Sequence, residues 1–160
     1  SLITEQPNLR YLIVGGATGA DSMESSLRQQ VSELGLDNHV RFLGAMPPDE
    51  LKWPLSAADL FVLATRREGW ANVFLEAMAC GLPVVTTDVD GNPEVVCHDY
   101  LGSIVPFGNS EALRKAIGDG LKYKWDRDMI RAYAEANSWD SRIATLTQEF
   151  RAILAKRGEA

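Results

Sequence analysis

Five short apolar runs, each closed by turn residues and separated by helical patterns, constrain this chain more than any other feature. They read "YLIVGG" from Tyr11, "HVRFLG" from His39, "LFVLAT" from Leu60, "PVVTT" from Pro83 and "GSIVP" from Gly102. The apolar residues are continuous rather than alternating, which is the pattern of strands covered on both faces. Between them lie "DSMESSLRQQVSELG", with Met23, Leu27, Val31 and Leu34 at helical spacing and Gly35 as its stop, and the proline-started "PPDELKWPLSAAD", expected to bend near Pro54. "NVFLEAMACG" predicts a helix capped by Asn72, and "PEVV" a short one. Strands alternating with helices in this way predict an α/β domain with a mainly parallel sheet and helices on both faces.

From Ser110 onward the pattern is helical only, in "SEALRKAIGDGL", "DRDMIRAYAEAN" and "WDSRIATLTQEFRAILAKRG", with Ser110 and Asp126 as caps. Residues 1–160 are read as one domain whose C-terminal segment, 110–160, is helical. The first strand begins almost at once, so the opening reads as a cut made inside a longer protein.

Composition narrows the function classes. With 160 residues and 46% hydrophobic content there is enough chain for one core. No run approaches the roughly 18 apolar residues that a membrane helix needs. "SLITEQPNLR" itself shows no basic-then-apolar signal pattern, and the expectation is a cytoplasmic protein. A net charge of −6 argues against nucleic acid as partner, because that binding depends on clustered Lys and Arg. Cys80 and Cys97 lie among apolar residues without metal-like spacing, which predicts buried free thiols.

In a parallel sheet every strand-to-helix loop emerges at the carboxyl edge, where ligands bind. Four loops are therefore expected there: Gly15–Ala20, Gly44–Pro48, Thr65–Ala71 and Thr87–Gly91. "GGATGAD" lacks the Lys-Ser/Thr ending of a Walker loop and the dinucleotide glycine spacing. It reads either as a plain turn or as a glycine floor for a ligand. "FLGAMPPDEL" reads either as a rigid connection or as a turn facing a nucleobase. His39 and His98 are isolated surface or loop histidines, and Arg66 and Arg67 are surface cations. No Gly-x-Ser-x-Gly elbow or His-Glu-x-x-His run supports a hydrolase or zinc enzyme.

"RREGWANVFLEAMACGLPVV" is more informative. Glu68 falls in the loop before the helix and Glu76 about one turn inside it. The intervening amides sit where the helix dipole offers partial positive charge. Ionised carboxylates only accept hydrogen bonds, so two of them can receive hydroxyl pairs. A ligand with hydroxyls at both ends and phosphates between, such as a nucleotide sugar, suits that order. On spacing alone, polar punctuation of an ordinary helix fits equally.

"EGWANVFLEAMACGLPVVTTDVDGNPEVV" closely resembles the signature of family-4 (group 1) retaining glycosyltransferases: Glu, seven residues, Glu, then Ala-Met-Ala-x-Gly-x-Pro-Val-Val and a Gly-x-Pro-Glu turn. "LIVGG", "VRFLG", "ADLFVLAT", "GSIVP" and "SWD" agree with it, so the resemblance covers nearly the whole chain. It implies a Rossmann-like three-layer domain, the donor-binding second half of a GT-B fold, with the first strand-helix unit and the acceptor domain missing. By the same resemblance, Glu68, the implied catalytic residue, and the amides of Gly69, Trp70, Ala71 and Asn72 contact the transferred sugar and stabilise charge near the breaking bond. Glu76 binds the ribose hydroxyls, Val73 lies near ribose or phosphate, Gly44 to Pro47 lie against the base, and Gly15 and Gly16 floor the cleft. Trp70 is read either as a wall of the sugar pocket or as buried packing.

The implied substrate is a nucleotide-diphosphate sugar. No cofactor is expected, and no metal, since no Asp-x-Asp or His cluster appears. The acceptor, a glycan, lipid or small molecule, belongs to the missing domain, as does any peripheral membrane contact and the usual catalytic histidine. Bacterial polysaccharide or cell-envelope glycan synthesis is the family's commonest setting. Asp90 departs from the pattern, which has a glycine there. A nucleotide-sugar epimerase of related fold and a non-catalytic nucleotide-sugar-binding module are the rival readings.

Overall fold

A computed structural model describes residues 2–16 and 23–158, which form two compact units, Ser1–Ala57 and Ala58–Ala160. Each is a self-contained piece of α/β structure.

The first unit runs α1 (Leu2–Glu5), β1 (Tyr11–Val14), α2 (Met23–Glu33), β2 (Val40–Gly44), a 3-10 turn (Pro48–Glu50) and α3 (Lys52–Ala57). The two strands pair in parallel, Tyr11 against Val40 through Ile13 against Phe42, and the register then slips so that Val14 faces Gly44. Parallel pairing needs a crossover, which the stretch containing α2 supplies. Of the predicted apolar stripe of α2, Leu27 and Val31 are half-buried. Met23 and Leu34 are exposed, Leu34 because the helix has already ended at Glu33. The helical pattern after β2 divides at Leu51, where the 3-10 turn gives way to α3, rather than bending at Pro54. Pro54 sits in the first turn of α3, where its missing N–H costs no intrahelical bond.

The second unit contains β3 (Phe61–Leu63), α4 (Asn72–Ala79), β4 (Val84–Thr87), α5 (Asn92–Val95), β5 (Gly102–Val105), α6 (Ser110–Lys122), α7 (Arg127–Ala136) and α8 (Trp139–Gly158). Its sheet has the order β3-β4-β5, all parallel. Every residue of the central strand β4 is buried, as its unbroken apolar start requires. Successive strand residues face opposite ways, and this places the helices. Val84 packs with Phe74 and Met78 of α4 and Ile130 of α7. Val85 faces the other way, toward Gly120 of α6, where a side chain would meet Leu60 and Val85. The unit is therefore three-layered, and the fold is Rossmann-like α/β.

Helix ends follow local capping chemistry. Asp126 accepts the Met129 amide at 3.0 Å, as expected of it. For α6 the cap is Asn109, whose Oδ1 accepts the Ala112 amide at 2.9 Å, and Ser110 is instead the first helical residue. Cys97 is exposed and Cys80 half-buried, which corrects the expectation of two buried thiols; both are free. Cys97 lies in a turn after α5, beyond the buried Val95 and Val96. The Tyr133 hydroxyl donates to the Val95 carbonyl at 3.1 Å and lies 3.4 Å from the Cys97 Sγ. Burial, then the Cys97 thiol, push its pKa up, so it stays a protonated tie between α7 and α5.

Candidate functional site

The loop that leaves β3 is fastened from the β4 side by side chains. Thr86 Oγ1 donates to the Leu63 carbonyl at 2.8 Å, and Thr87 Oγ1 to the Thr65 carbonyl at 2.7 Å. Asn92, fully buried at the start of α5, donates through Nδ2 to Thr86 Oγ1 and to the Thr87 carbonyl, each at 3.0 Å. These three residues escaped the sequence reading. The only trace of them there is a pair of hydroxyl residues ending an apolar strand, with an Asn one turn later.

The turn after β4 grips the same loop further along. The Asp90 carboxylate accepts the Glu68 amide at 2.9 Å, and the Gly91 amide donates to the Glu68 carbonyl at 3.3 Å. A Cβ on Gly91 would stand 2.1 Å from the Gly69 carbonyl oxygen, so the two backbones meet with no side chain between them. The loops Thr65–Ala71 and Thr87–Gly91, expected at one edge, are thus held together. Beside them, a cavity of about 220 Å³ opens at the carboxyl ends of β3, β4 and β5, lined by Ala64, Thr87, Pro106, Phe107 and Leu113 among others.

Helix α4 begins one residue earlier than its expected cap implies. Ala71 occupies the cap position with no side-chain bond, and Asn72, read as the cap, is the first helical residue. The physical reason is that Ala71 takes the non-helical dihedrals, φ −76° and ψ 89°, leaving Asn72 inside. The helix start therefore carries no side-chain cap among the described residues. No hydrogen bond from the amides of Gly69, Trp70 or Ala71 is found among the described residues, while the Asn72 amide is turned onto the Trp70 carbonyl at 3.0 Å. Glu68 is half-buried and Glu76 exposed, and neither carboxylate has a hydrogen-bond or ion-pair partner among the described residues. An open helix start flanked by two unengaged carboxylates can receive phosphate on its amides and hydroxyls on its acids.

The remaining residues of this loop divide by exposure. Gly69 is exposed, Val73 half-buried and Ala71 buried. Trp70 is half-buried against the core, and the Arg142 guanidinium of α8 lies over its ring at 4.2 Å. One face of Trp70 is accordingly occupied by a cation–π contact. Arg66 and Arg67 are exposed, as expected.

In the first unit, the Gly15 amide donates to the Gly44 carbonyl at 2.9 Å, and a Cβ on Gly16 would come within 3.6 Å of the Ala45 amide. Gly15, Gly16 and Gly44 therefore adjoin one another at the ends of β1 and β2. Pro47 is exposed, and its carbonyl accepts the Glu50 amide at 2.9 Å to start the 3-10 turn. Ala17 to Asp21, the rest of "GGATGAD", lie outside the described residues. His98 is exposed and stacks on Tyr100 at 5.2 Å between ring centroids. His39 is half-buried in the turn before β2, with Nδ1 3.0 Å from the Leu9 carbonyl. Among the described residues no group of three or more His, Cys, Asp or Glu could hold a metal ion, and no helix is long and apolar enough to cross a membrane.

Known proteins match this chain over most of its length. D-inositol 3-phosphate glycosyltransferase of Corynebacterium glutamicum is 30% identical over 153 residues, 92% of this chain and 36% of that protein. The GDP-mannose-dependent alpha-(1-6)-phosphatidylinositol monomannoside mannosyltransferase of Mycobacterium tuberculosis is 30% identical over 175 aligned positions, 98% of this chain and 45% of its own length. The chain thus spans less than half of these curated relatives. Among solved structures, Anabaena HepE in complex with UDP and glucose superposes with a TM-score of 0.73 at 27% identity, covering 97% of this chain and 44% of HepE. A Rickettsia africae glycosyltransferase superposes at 0.81 with 20% identity, 96% and 42% covered, which speaks to the fold. The family described as glycosyl transferases group 1 matches residues 1–137. With that match over most of its length, this chain belongs to the group 1 glycosyltransferases.

Proposed function

We propose that this chain is the donor-binding domain of an enzyme that moves a sugar from a nucleoside diphosphate to an acceptor hydroxyl with retention of configuration, as in the family-4 retaining enzymes. The observation that carries the reading is the start of α4, which has no side-chain cap, flanked by the carboxylates of Glu68 and Glu76, which have no partner among the described residues. The names of the relatives support a nucleotide-sugar donor: one is called GDP-mannose-dependent, and HepE was solved with UDP and glucose.

In this reading Glu76 accepts hydrogen bonds from the ribose hydroxyls. The amides from Gly69 onward, with the dipole of α4, face the diphosphate and the sugar, and Val73 lines the ribose–phosphate junction. In the first unit, Gly15, Gly16, Gly44 and Pro47 are the residues assigned to the base. As the bond from the anomeric carbon to the diphosphate oxygen breaks, positive charge grows on the sugar ring and negative charge on the leaving group. The Glu68 carboxylate stabilises the first, and the helix start the second. The acceptor oxygen bonds to the anomeric carbon on the face the diphosphate leaves. The acceptor and the proton it loses are handled by parts of the protein beyond this chain, as is any contact with a membrane surface. Nucleotide-sugar donors are cytosolic substrates, so the domain works in the cytoplasm, in bacterial polysaccharide or envelope glycan synthesis.

The test is calorimetry on the full-length protein with a free nucleoside diphosphate and with the matching nucleotide sugar. Glu76→Ala is expected to weaken both about tenfold or more, the scale of losing a charge-assisted hydrogen bond. Glu68→Ala is expected to leave the free nucleotide's Kd in place and to remove only the gain contributed by the sugar. Equal losses for both variants with free nucleotide would overturn this division of roles. The 160-residue chain alone is expected to give no measurable transfer; turnover by it would show that it is more than one wall of the cleft.

A further inference from the structure

Asp90 stands where the family pattern has a glycine, and the geometry shows what its side chain does. It is the one non-glycine residue with positive φ among the described residues, at 43°. That left-handed conformation suits glycine, and Asp or Asn tolerate it better than other side chains. The bend aims the carboxylate at the Glu68 amide, 2.9 Å away, while the next amide, that of Gly91, takes the Glu68 carbonyl at 3.3 Å. Both peptide groups flanking the Glu68 Cα are thereby fixed by one turn. The carboxylate of Glu68 itself has no hydrogen-bond or ion-pair partner among the described residues. A glycine at 90 could keep the backbone bend but could not hold the Glu68 amide.

We propose that Asp90 is a positioning residue for Glu68. Its carboxylate locks the peptide that carries Glu68, so that the Glu68 side chain meets the transferred sugar in one orientation. It also occupies the Glu68 amide, which makes Gly69 the first donor in the loop open to a ligand. The role rests on the proposed function and concerns the sugar end of the ligand, not the nucleotide end. It therefore affects the transfer step and the sugar's share of binding, while nucleotide affinity stays where it is.

Three variants of the full-length protein separate the terms. Asp90→Asn keeps an acceptor oxygen and tolerates positive φ, so kcat should stay within about twofold of the parent. Asp90→Gly keeps the bend and loses the acceptor, and kcat should fall about tenfold with the free-nucleotide Kd unchanged. In the Glu68→Ala background, Asp90→Gly should add no further loss to nucleotide-sugar binding, because its effect passes through Glu68. Parent-level kcat in Asp90→Gly would overturn the positioning role. So would Asp90→Asn failing as badly as Asp90→Gly, or a loss of free-nucleotide affinity as large as the loss in kcat. A parent protein that neither binds nucleotide sugars nor transfers a sugar would instead remove the functional reading itself, and this role with it.

Discussion

Two glycine-rich turns carry the candidate residues, and they are built on different principles. In the second unit, Gly91 is required by contact: the Gly69 carbonyl fills the space a side chain would take. The same turn is stitched to the β3 loop by Thr87, Asp90 and the Gly91 amide. In the first unit, Gly44 has nothing within 4 Å of where its Cβ would be, and is required instead by its backbone, at φ +73°. One turn is held by what touches it, the other by a dihedral angle. A site that must fix a carboxylate in register with a breaking bond needs the first kind. A surface proposed to meet a flat base is served by the second.

The largest expected effect breaks the contact-built turn. Gly91→Ala puts a methyl 2.1 Å from a backbone oxygen, and neither side of that contact is a flexible side-chain end. The cost should be about 3 kcal/mol or more, read as a shift in urea midpoint, with loss of nucleotide-sugar affinity in whatever remains folded. Parent-like stability would mean that the Gly69 and Gly91 backbones are not in contact. Next comes Thr87→Val, which conserves shape at a position 3% exposed and removes the bond to the Thr65 carbonyl. About 1–2 kcal/mol of stability should go with it, because a carbonyl loses its donor. Glu68-dependent binding should weaken as the loop loosens, whereas free-nucleotide binding, which the proposed function assigns to Glu76, should hold.

This difference also separates what the sequence made legible from what it did not. Strands announced themselves, because "PVVTT" and "GSIVP" are continuous apolar runs that only a covered parallel sheet can bury. Glu68 and Glu76 stood out through their spacing around one helix start. The fastening did not, because its partners are far apart in sequence: Thr87 reaches back to Thr65, and Asp90 to the Glu68 amide, each 22 positions away. Main-chain partners, whether an amide or a carbonyl, leave no residue-type signal, so Asp90 stood out only as a departure from the pattern's glycine. Errors of one position at Asn72 and Ser110 have a related cause. Caps are decided by the dihedrals of a single residue, and the polar residues Asn109 and Ser110 are adjacent candidates for one role. Cys97 was misjudged because an apolar run continues to its edge at Val96, where burial stops.

Gly44→Ala probes the dihedral-built turn and should have the smallest effect. The added methyl meets nothing, so the whole cost is that of holding an alanine at φ +73°, about 1 kcal/mol. That strain can be relieved if the peptide rotates. Rotation would swing the Gly44 carbonyl away from the Gly15 amide, which it accepts at 2.9 Å. The variant should therefore show a small drop in melting temperature together with faster hydrogen exchange at the Gly15 amide. Glu68-dependent sugar discrimination should stay unchanged, since the proposed function assigns it to Glu68 in the other unit. A destabilisation as large as that of Gly91→Ala would mean that contacts also build this turn, and the contrast between the two would fail.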